Sequence, residues 1–330
     1  MLGKKEREKA FVENGSVLLE KLIASCNSRC IPIRNFSIEE LLKATNNYDP
    51  HLLFHEVGSY QWYNGSLEGR LLSVKKYRKI KYANELDFPF TDLVICAKMC
   101  PHKNVLKLIG CCLETPSLVL VYESAANGTL SDRIYPSQPQ ARPMPWKCRL
   151  KVAREIAHAI AYLHTAFSRP IIHRDIHPRN IFFDQRDIPK LSDFSVSVEI
   201  PEGEFEVKDE VIGTIRFVCP QYVATGVVTE KSDVFSFGTL LLELVTGKTF
   251  MDLRQAASGF ENFVDFRKEN VNVKKIVESE IQAGEGEAGL EQQLQASLQL
   301  ALICRDSNPE FRPTMIDVSK ELRRIERSIP

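Results

Sequence analysis

Ile171 to Asn180 is the stretch best equipped for chemistry, and it reads Ile-Ile-His-Arg-Asp-Ile-His-Pro-Arg-Asn. Its carboxylate, Asp175, can accept the proton of a hydroxyl group. Asn180, five residues later, adds an amide oxygen of the kind that holds a magnesium ion. An acid and a metal ligand at this spacing are typical of phosphoryl transfer, so the stretch predicts a phosphotransferase.

The composition describes an ordinary globular protein. The 330 residues include 43 basic and 43 acidic side chains, and 44% are hydrophobic. Zero formal charge argues against a general nucleic-acid binder, because such a protein needs a basic surface to displace counterions. No apolar run reaches about 18 residues and no apolar signal core begins the chain, so we expect a cytosolic protein without a transmembrane segment. The nine scattered cysteines are expected to be reduced thiols.

Two helices are predicted in the N-terminal part of the chain. From Phe11 onward, apolar residues recur at helical spacing up to Ile23, and their stripe either docks on the parent domain or binds a partner. A second helix begins with Ser37 as its cap and Glu40 closing a capping box, and it runs to about Ala44.

The remaining pattern predicts an α+β protein with two lobes. Short β-type runs and one helical stretch near Leu93 to Met99 fill residues 52–123. A proline-rich linker that includes Pro139 and Pro143 follows, and beyond Trp146 the chain is mostly helical. The run from Val234 to Val245 is apolar nearly all round, which indicates a buried central helix.

The ordered motifs resemble those of eukaryotic protein kinases over about residues 54 to 327. They are His173-Arg174-Asp175, Asp193-Phe194, Gly213-Thr214, the run from Ser232 to Gly238, and Arg312-Pro313-Thr314-Met315. Further similarity, in Phe36 to Asn46, Lys107 to Cys112, Asn127 to Leu130 and Thr229 to Gly238, is to plant receptor-like cytoplasmic kinases of the wall-associated-kinase-like group. Within that group the chain most resembles immune adaptor pseudokinases.

The resemblance implies a bilobal kinase fold and a set of site residues. It predicts a helical extension at 1–50 and a kinase-like domain at 51–327, with a small β-rich lobe at 51–124 and a larger helical lobe at 125–327. Asp175 takes the proton-acceptor position. The nucleotide-binding positions are Lys75, Val57, Gly58, Glu123, Asn180 and Asp193, of which Asn180 and Asp193 would also hold magnesium. The implied cofactors are ATP and magnesium, with binding expected to be weak or lost.

Departures from the kinase pattern near the predicted nucleotide argue against efficient catalysis. The three glycine positions of the phosphate-binding hairpin fall on His55, Val57 and Tyr60, so the phosphate cradle is expected to be lost. The position of the glutamate that partners Lys75 falls on Leu93. Its neighbour Asp92 points about 100° away on a helix, so Lys75 is expected to be unpaired.

Other departures lie in the catalytic and regulatory loops. His177 replaces the usual phosphate-binding lysine, Ser195 replaces the glycine after Asp193-Phe194, and Gln221 replaces the acidic partner of Arg312. The regulatory loop is acidic, and its carboxylates either mimic a phosphate opposite Arg174 or form a solvated surface. They are Glu199, Glu202, Glu204, Glu206, Asp209 and Glu210.

These departures predict a catalytically impaired kinase that acts as a binding module in plant innate immunity. By resemblance, its partners are the leucine-rich-repeat part of a coiled-coil nucleotide-binding (NLR) receptor, and bacterial effectors or effector-modified receptor-like cytoplasmic kinases. The expected location is the cytoplasm, with recruitment to the plasma membrane through partners. Two alternatives stay open: a weakly active Ser/Thr kinase, and an ATP-binding switch that does not turn over.

Overall fold

The computed structural model describes residues 3–26, 33–78, 87–136, 144–256, 277 and 289–328. Pro139 and Pro143 of the predicted linker lie outside the described residues. The chain forms two compact units: Met1–Gly128 with Phe182–Ser197, and Thr129–Ile181 with Val198–Pro330.

The described α-helices and β-strands follow the predicted change from sheet to helix. The helices are α1 (Lys4–Cys26), α2 (Ile38–Ala44), α3 (Phe88–Met99), α4 (Leu130–Ile134), α5 (Trp146–Thr165), α6 (Pro220–Thr225), α7 (Glu230–Thr246), α8 (Phe250–Ala256), α9 (Leu290–Cys304) and α10 (Met315–Glu326). The strands are β1 (Arg34–Asn35), β2 (Leu53–Val57), β3 (Tyr60–Leu67), β4 (Arg70–Tyr77), β5 (Leu108–Cys112), β6 (Val119–Glu123), β7 (Ile171–Ile172), β8 (Ile181–Phe183), β9 (Pro189–Leu191), β10 (Val198–Glu199), β11 (Val207–Lys208) and β12 (Val227–Val228). The α+β prediction is confirmed.

A six-stranded sheet dominates the first unit, in the order β1-β5-β6-β4-β3-β2. Strand β1 runs parallel to β5, and its approach depends on Gly110, because an added Cβ atom there would lie 2.0 Å from the Arg34 carbonyl oxygen. Side chains alternate between the two faces of a strand. The register pairs Lys75 of β4 with Trp62 and with Leu120, so these three residues share one face of the sheet.

Helix α2 covers the other face of that sheet. Its first turn is closed by the predicted capping box: the Ser37 hydroxyl accepts from the Glu40 amide at 3.1 Å, and the Glu40 carboxylate accepts from the Ser37 amide at 2.8 Å. Leu41 of α2 and Val74 of β4 are both fully buried in one apolar cluster. The capping prediction and the predicted end at Ala44 are both confirmed.

Helix α1 packs against α3 within the first unit. Leu18 is buried, and the Asn14 side chain donates to the carbonyl oxygens of Leu113 and Thr115, each at 2.9 Å. The alternative in which the N-terminal helix docks on its parent domain is therefore confirmed for this side of α1. A second stripe stays exposed, consisting of Val12, Leu19 and Ile23.

Helices α5, α7, α9 and α10 pack together in the second unit. Helix α7 begins at the cap Thr229 and is buried from Ser232 to Thr246, as its all-round apolar sequence predicts. It ends at Gly247, whose φ of 75° is the left-handed conformation that favours glycine. Among the described residues, no helix is both long and apolar enough to cross a membrane.

Candidate functional site

Lys75 lies in a buried polar cluster of the first unit. Its Nζ atom donates to Asp92 Oδ2 and to Asp193 Oδ1, each at 2.7 Å. The Tyr60 hydroxyl donates to the other Asp193 oxygen at 2.5 Å. Both oxygens of Asp193 therefore accept hydrogen bonds from protein groups.

Aromatic rings surround the Lys75 ammonium group. The Nζ atom lies 3.9 Å from the centroid of the Tyr60 ring, 4.8 Å from that of Tyr77 and 5.7 Å from that of Trp62. Burial acts to lower the pKa of Lys75, but the charges of Asp193 and Asp92 outweigh burial and raise that pKa. The amine is therefore held as an ammonium ion, which attracts the electron-rich faces of the rings.

Asp92 is the second acid of this cluster, and its carboxylate is fully engaged. Oδ2 accepts from Lys75, from the Tyr77 hydroxyl at 2.8 Å and from the Tyr122 hydroxyl at 3.1 Å. Oδ1 accepts from the backbone amide of Phe194 at 2.9 Å. Burial, with Asp92 close by, raises the pKa of Tyr77 and of Tyr122 well above the usual range, so both phenols stay neutral donors.

The expectation that Lys75 is unpaired is wrong. Helix α3 turns Asp92 toward Lys75 and places Leu93, which is fully buried, elsewhere in the packing. Adjacent helical residues point about 100° apart, so only one of the two can face the lysine. Asp92 is the only acidic residue between Phe88 and Met99, and this was the feature of the sequence that could have identified it as the partner of Lys75.

The hairpin between β2 and β3 lies where the kinase pattern has its phosphate-binding loop. Val57 pairs directly with Tyr60, so the turn consists of Gly58 and Ser59 alone. Two residues also separate the second and third glycines of the kinase pattern, so the predicted loss of the glycine-rich cradle takes the form of substitution by Val57 and Tyr60. Glu123, another predicted nucleotide contact, ends β6, and its carboxylate accepts from the Lys107 amide at 3.1 Å and the Lys190 amine at 3.0 Å.

Asp175 lies in the second unit, where three groups donate to its carboxylate. Oδ1 accepts from the Thr214 amide at 2.9 Å, and Oδ2 accepts from Asn180 Nδ2 at 3.0 Å and from His177 at 3.2 Å. Burial acts to raise the pKa of Asp175, but His177, the Thr214 hydrogen bond and His173 together lower it. A carboxylate so stabilised in its ionised form is a weak proton acceptor.

His177 is held in one tautomer. The Arg179 backbone amide donates to His177 Nδ1 at 3.2 Å, so Nδ1 must accept and the ring proton lies on Nε2. That proton points to Asp175 Oδ2. His177 therefore stabilises the carboxylate in this arrangement, whereas the lysine usual at this position would offer a charge to a phosphate.

Asp233 anchors the backbone on the N-terminal side of Asp175. Its carboxylate accepts from the backbone amides of His173 at 2.8 Å and Arg174 at 2.9 Å, and it is bonded to His164 Nε2 at 2.9 Å. Gly213 approaches the same backbone closely: its φ is 130°, and an added Cβ atom would lie 2.7 Å from the Arg174 carbonyl oxygen.

Arg174 is paired with one carboxylate of the acidic loop. Its Nη1 atom donates to Asp209 Oδ2 at 2.8 Å and to the Tyr222 hydroxyl at 3.1 Å. Glu199 pairs separately with Arg169 at 2.8 Å. Of the two interpretations of the acidic loop, the phosphate-like contact fits Asp209, and the solvated surface fits Glu202, Glu204, Glu206 and Glu210, which are exposed.

Asp209→Asn is expected to loosen the loop without unfolding the protein. Asp209 is partly exposed, so the pair with Arg174 contributes at most about 1 kcal/mol, or about fivefold in local opening. Hydrogen exchange of residues 205–213 should become about fivefold faster in the variant. Glu206→Gln, an exposed change in the same loop, is the control and should leave exchange unaltered. Equal exchange in both variants would show that Asp209 does not hold the loop.

Arg312 bonds the residue predicted to partner it. Its Nη2 atom donates to Gln221 Oε1 at 2.6 Å, and its Nε atom donates to the Asp306 carbonyl oxygen at 2.8 Å. The Gln221 amide thus accepts in place of the carboxylate that is usual in the kinase pattern, although it supplies no charge.

The family model described as protein tyrosine and serine/threonine kinase matches residues 53–322. The chain belongs to the protein kinase family. Within it, the chain is 39% identical to the serine/threonine-protein kinase ZRK1 of Arabidopsis thaliana over 99% of this chain and 95% of that protein. It is 40% identical to the non-functional pseudokinase ZED1 of the same plant, covering 98% of each chain.

A third relative fixes the group within the kinases. The chain is 37% identical to the wall-associated receptor kinase-like 4 of Arabidopsis thaliana over 96% of this chain, which corresponds to 41% of that longer protein. The predicted kinship with the wall-associated-kinase-like group is confirmed, as is the kinase fold. The relatives include proteins named as kinases and proteins named as non-functional, so membership alone does not decide activity.

The kinase family implies ATP and magnesium, and the residues can be tested for their fit to the metal. A magnesium ion on Asp193 would need an oxygen that already accepts from Lys75 or Tyr60. Within the described part of the chain, no group of three or more His, Cys, Asp and Glu side chains is arranged to hold a metal. Asp193 as arranged does not fit magnesium, and the metal and nucleotide roles of Asn180, Asp193, Lys75, Val57, Gly58 and Glu123 stay predictions.

Proposed function

We propose that this kinase-family chain is a pseudokinase that works by binding other proteins. In this proposal it links the leucine-rich-repeat part of a coiled-coil NLR receptor to bacterial effectors or to receptor-like cytoplasmic kinases that effectors have modified. The observation that carries the loss of catalysis is the bond between Lys75 and Asp193. The two groups that an active kinase offers to the nucleotide and its metal are here bonded to each other.

The geometry of Asp175 supports the same conclusion. Active kinases turn over at roughly 1 to 100 per second, and loss of one preorganised charge-stabilising group costs on the order of 10² to 10³ in rate. In this chain His177 stands in place of the phosphate-binding lysine, and the glycine-rich loop has lost its glycine spacing. The pKa of Asp175 is also lowered. These effects need not multiply, but any one of them makes phosphotransfer slow.

An interaction surface on α1 supports the binding role. Leu18 and Asn14 fix α1 to the first unit, whereas Val12, Leu19 and Ile23 are 60 to 69% exposed. These three residues lie at spacings of seven and four, so they form one stripe of the helix. An apolar stripe on a helix that is already docked is a surface on which a partner can dock.

The test is a binding assay with the leucine-rich-repeat part of a coiled-coil NLR. Leu19→Asp combined with Ile23→Asp should weaken retention of the receptor at least tenfold, because two charges would be buried in an apolar contact. Glu20→Ala, an exposed change on the same helix, is the control and should retain the receptor. Unchanged retention by the double variant removes the α1 stripe from the proposal. A wild-type chain that fails to bind any such receptor overturns the adaptor role.

A weakly active Ser/Thr kinase is the second candidate, favoured by the retention of Asp175 and by the name of ZRK1. A radiolabelled phosphotransfer assay separates the two functions. A wild-type rate that disappears in Asp175→Asn would establish the kinase, whereas no label above background in either protein supports the pseudokinase. Magnesium-dependent stabilisation by ATP without label would indicate the third possibility, a nucleotide-binding switch.

A further inference from the structure

Tyr60 occupies the position at which the kinase pattern has the third glycine of its phosphate-binding hairpin. Its side chain is 3% exposed and reaches into the cluster around Lys75. The two-residue turn of Gly58 and Ser59 sets Tyr60 at the start of β3, opposite Tyr77 of β4. Because opposed residues in a sheet share a face, both rings lie on the face that carries Lys75.

The Tyr60 side chain contacts the two groups that a magnesium nucleotide would need to bind. Its hydroxyl donates to Asp193 Oδ2 at 2.5 Å, which is an oxygen that the metal would need. Its ring lies 3.9 Å from Lys75 Nζ and shields the ammonium group, which the phosphates would need. A lysine ammonium has three N–H donors, and Asp92 and Asp193 take two of them.

The remaining groups of the cluster are those of a nucleotide site. Lys75 is charged and fixed, and Asp193 keeps its carboxylate beside the lysine. Of the three rings around the Lys75 ammonium group, that of Tyr60 lies nearest, and the Tyr60 hydroxyl also bonds Asp193. Replacing glycine by tyrosine at that position supplies both the bulk and the hydroxyl that close the cluster.

We propose that Tyr60 is an internal plug, and that it excludes magnesium nucleotides from a site whose lysine and carboxylate are retained. The inference rests on the proposed function, because it explains how a chain with Lys75 and Asp193 lacks kinase activity. It goes beyond that function by predicting that a single substitution restores nucleotide binding. Removal of the Tyr60 ring should suffice, without restoring the glycine-rich loop.

The experiment measures the binding of ADP with magnesium, and with EDTA, by calorimetry and by thermal shift. The full chain is compared with Tyr60→Gly and Tyr60→Thr, since threonine removes the ring but retains the strand preference that glycine lacks. Both variants should bind ADP at least tenfold more tightly than the wild type, in a magnesium-dependent manner, and adding Asp193→Asn should abolish the gain.

Two matched variants separate the ring from the hydroxyl and from general loosening. Tyr60→Phe keeps the ring over Lys75 and should bind no better than the wild type. Tyr77→Phe removes a hydroxyl that bonds Asp92 on the same face, and it should also create no site. Circular dichroism checks that each variant is folded, and Tyr60→Thr decides the matter if Tyr60→Gly does not fold.

Equal affinity of the wild type and Tyr60→Thr for ADP with magnesium overturns the plug, as does the absence of binding by a folded Tyr60→Thr. Neither result bears on the adaptor role, which is judged by retention of the receptor by the wild-type chain. Failure of the wild-type chain to retain the receptor would overturn the proposed function, and the nucleotide-binding result would still hold.

Discussion

Asp92→Asn should lower the free energy of unfolding by about 3 kcal/mol, because buried donors that now bond its carboxylate would face an NH₂ group, at about 1 to 3 kcal/mol for each unsatisfied group, while Lys75 keeps Asp193 as its partner. Asp92 is fully buried and accepts four hydrogen bonds, one of them from Lys75. An asparagine of the same shape has one oxygen, and its NH₂ group would face donors. At about 2 to 4 °C per kcal/mol, the melting temperature should fall by about 6 to 12 °C.

Two controls test whether the loss arises from the buried pair. Asp87→Asn removes an exposed acid that lies 3.3 Å from Lys21, and it should cost less than about 1 kcal/mol. Replacing both Lys75 and Asp92 by leucine should destabilise less than the two single leucine changes added together, since the bond between these two residues is then lost only once. If Asp92→Asn melts with the wild type, the cluster around Lys75 does not stabilise the first unit.

The features predicted from the sequence were those decided by neighbouring residues. The cap of α2 needs only Ser37 and Glu40, three positions apart, and the structure has both of its bonds. The burial of α7 follows from a run without a polar face. In each case the residues that make the structure are close in sequence, so the pattern alone contains the information.

The partner of Lys75 could not be predicted in the same way. The choice between Asp92 and Leu93 depends on how α3 is rotated, and packing of the whole helix sets that rotation. Helix α3 is buried on nearly every side, so no apolar stripe in its sequence reveals its orientation. The prediction that Lys75 is unpaired rests on alignment with the kinase pattern alone. The packing of α3 instead turns Asp92 toward Lys75.

The roles of Asp209 and Tyr60 were limited by a similar lack of information. Six acidic residues occupy the regulatory loop, and the sequence does not say which one reaches Arg174; the pairing of β11 with β12 places Asp209 there. The position of Tyr60 on the hairpin was known, but the direction of its ring depends on the register of β3 against β4. Both contacts join residues distant in the chain, where spacing carries no signal.

Asp233→Asn should destabilise the second unit by about 2 to 3 kcal/mol, the cost of leaving a buried hydrogen-bonding group unsatisfied. Its two carboxylate oxygens accept from adjacent backbone amides, those of His173 and Arg174. An asparagine has one oxygen, so one of the two amides would face an NH₂ group. Arg174 also has a φ of 69°, a conformation that costs on the order of 1 to 3 kcal/mol outside glycine and that these bonds hold in place.

The decisive measurement is hydrogen exchange of the His173 and Arg174 amides, together with chemical unfolding. Asp233→Asn should speed exchange of at least one of these amides about 30-fold, the equivalent of about 2 kcal/mol in local opening. Glu321→Gln, which removes a half-buried partner of the exposed Arg324 on α10, is the control and should change neither measurement, because surface pairs contribute little. Unchanged protection of both amides in Asp233→Asn would mean that the backbone before Asp175 is held by its own packing, and that Asp233 serves mainly to bond His164.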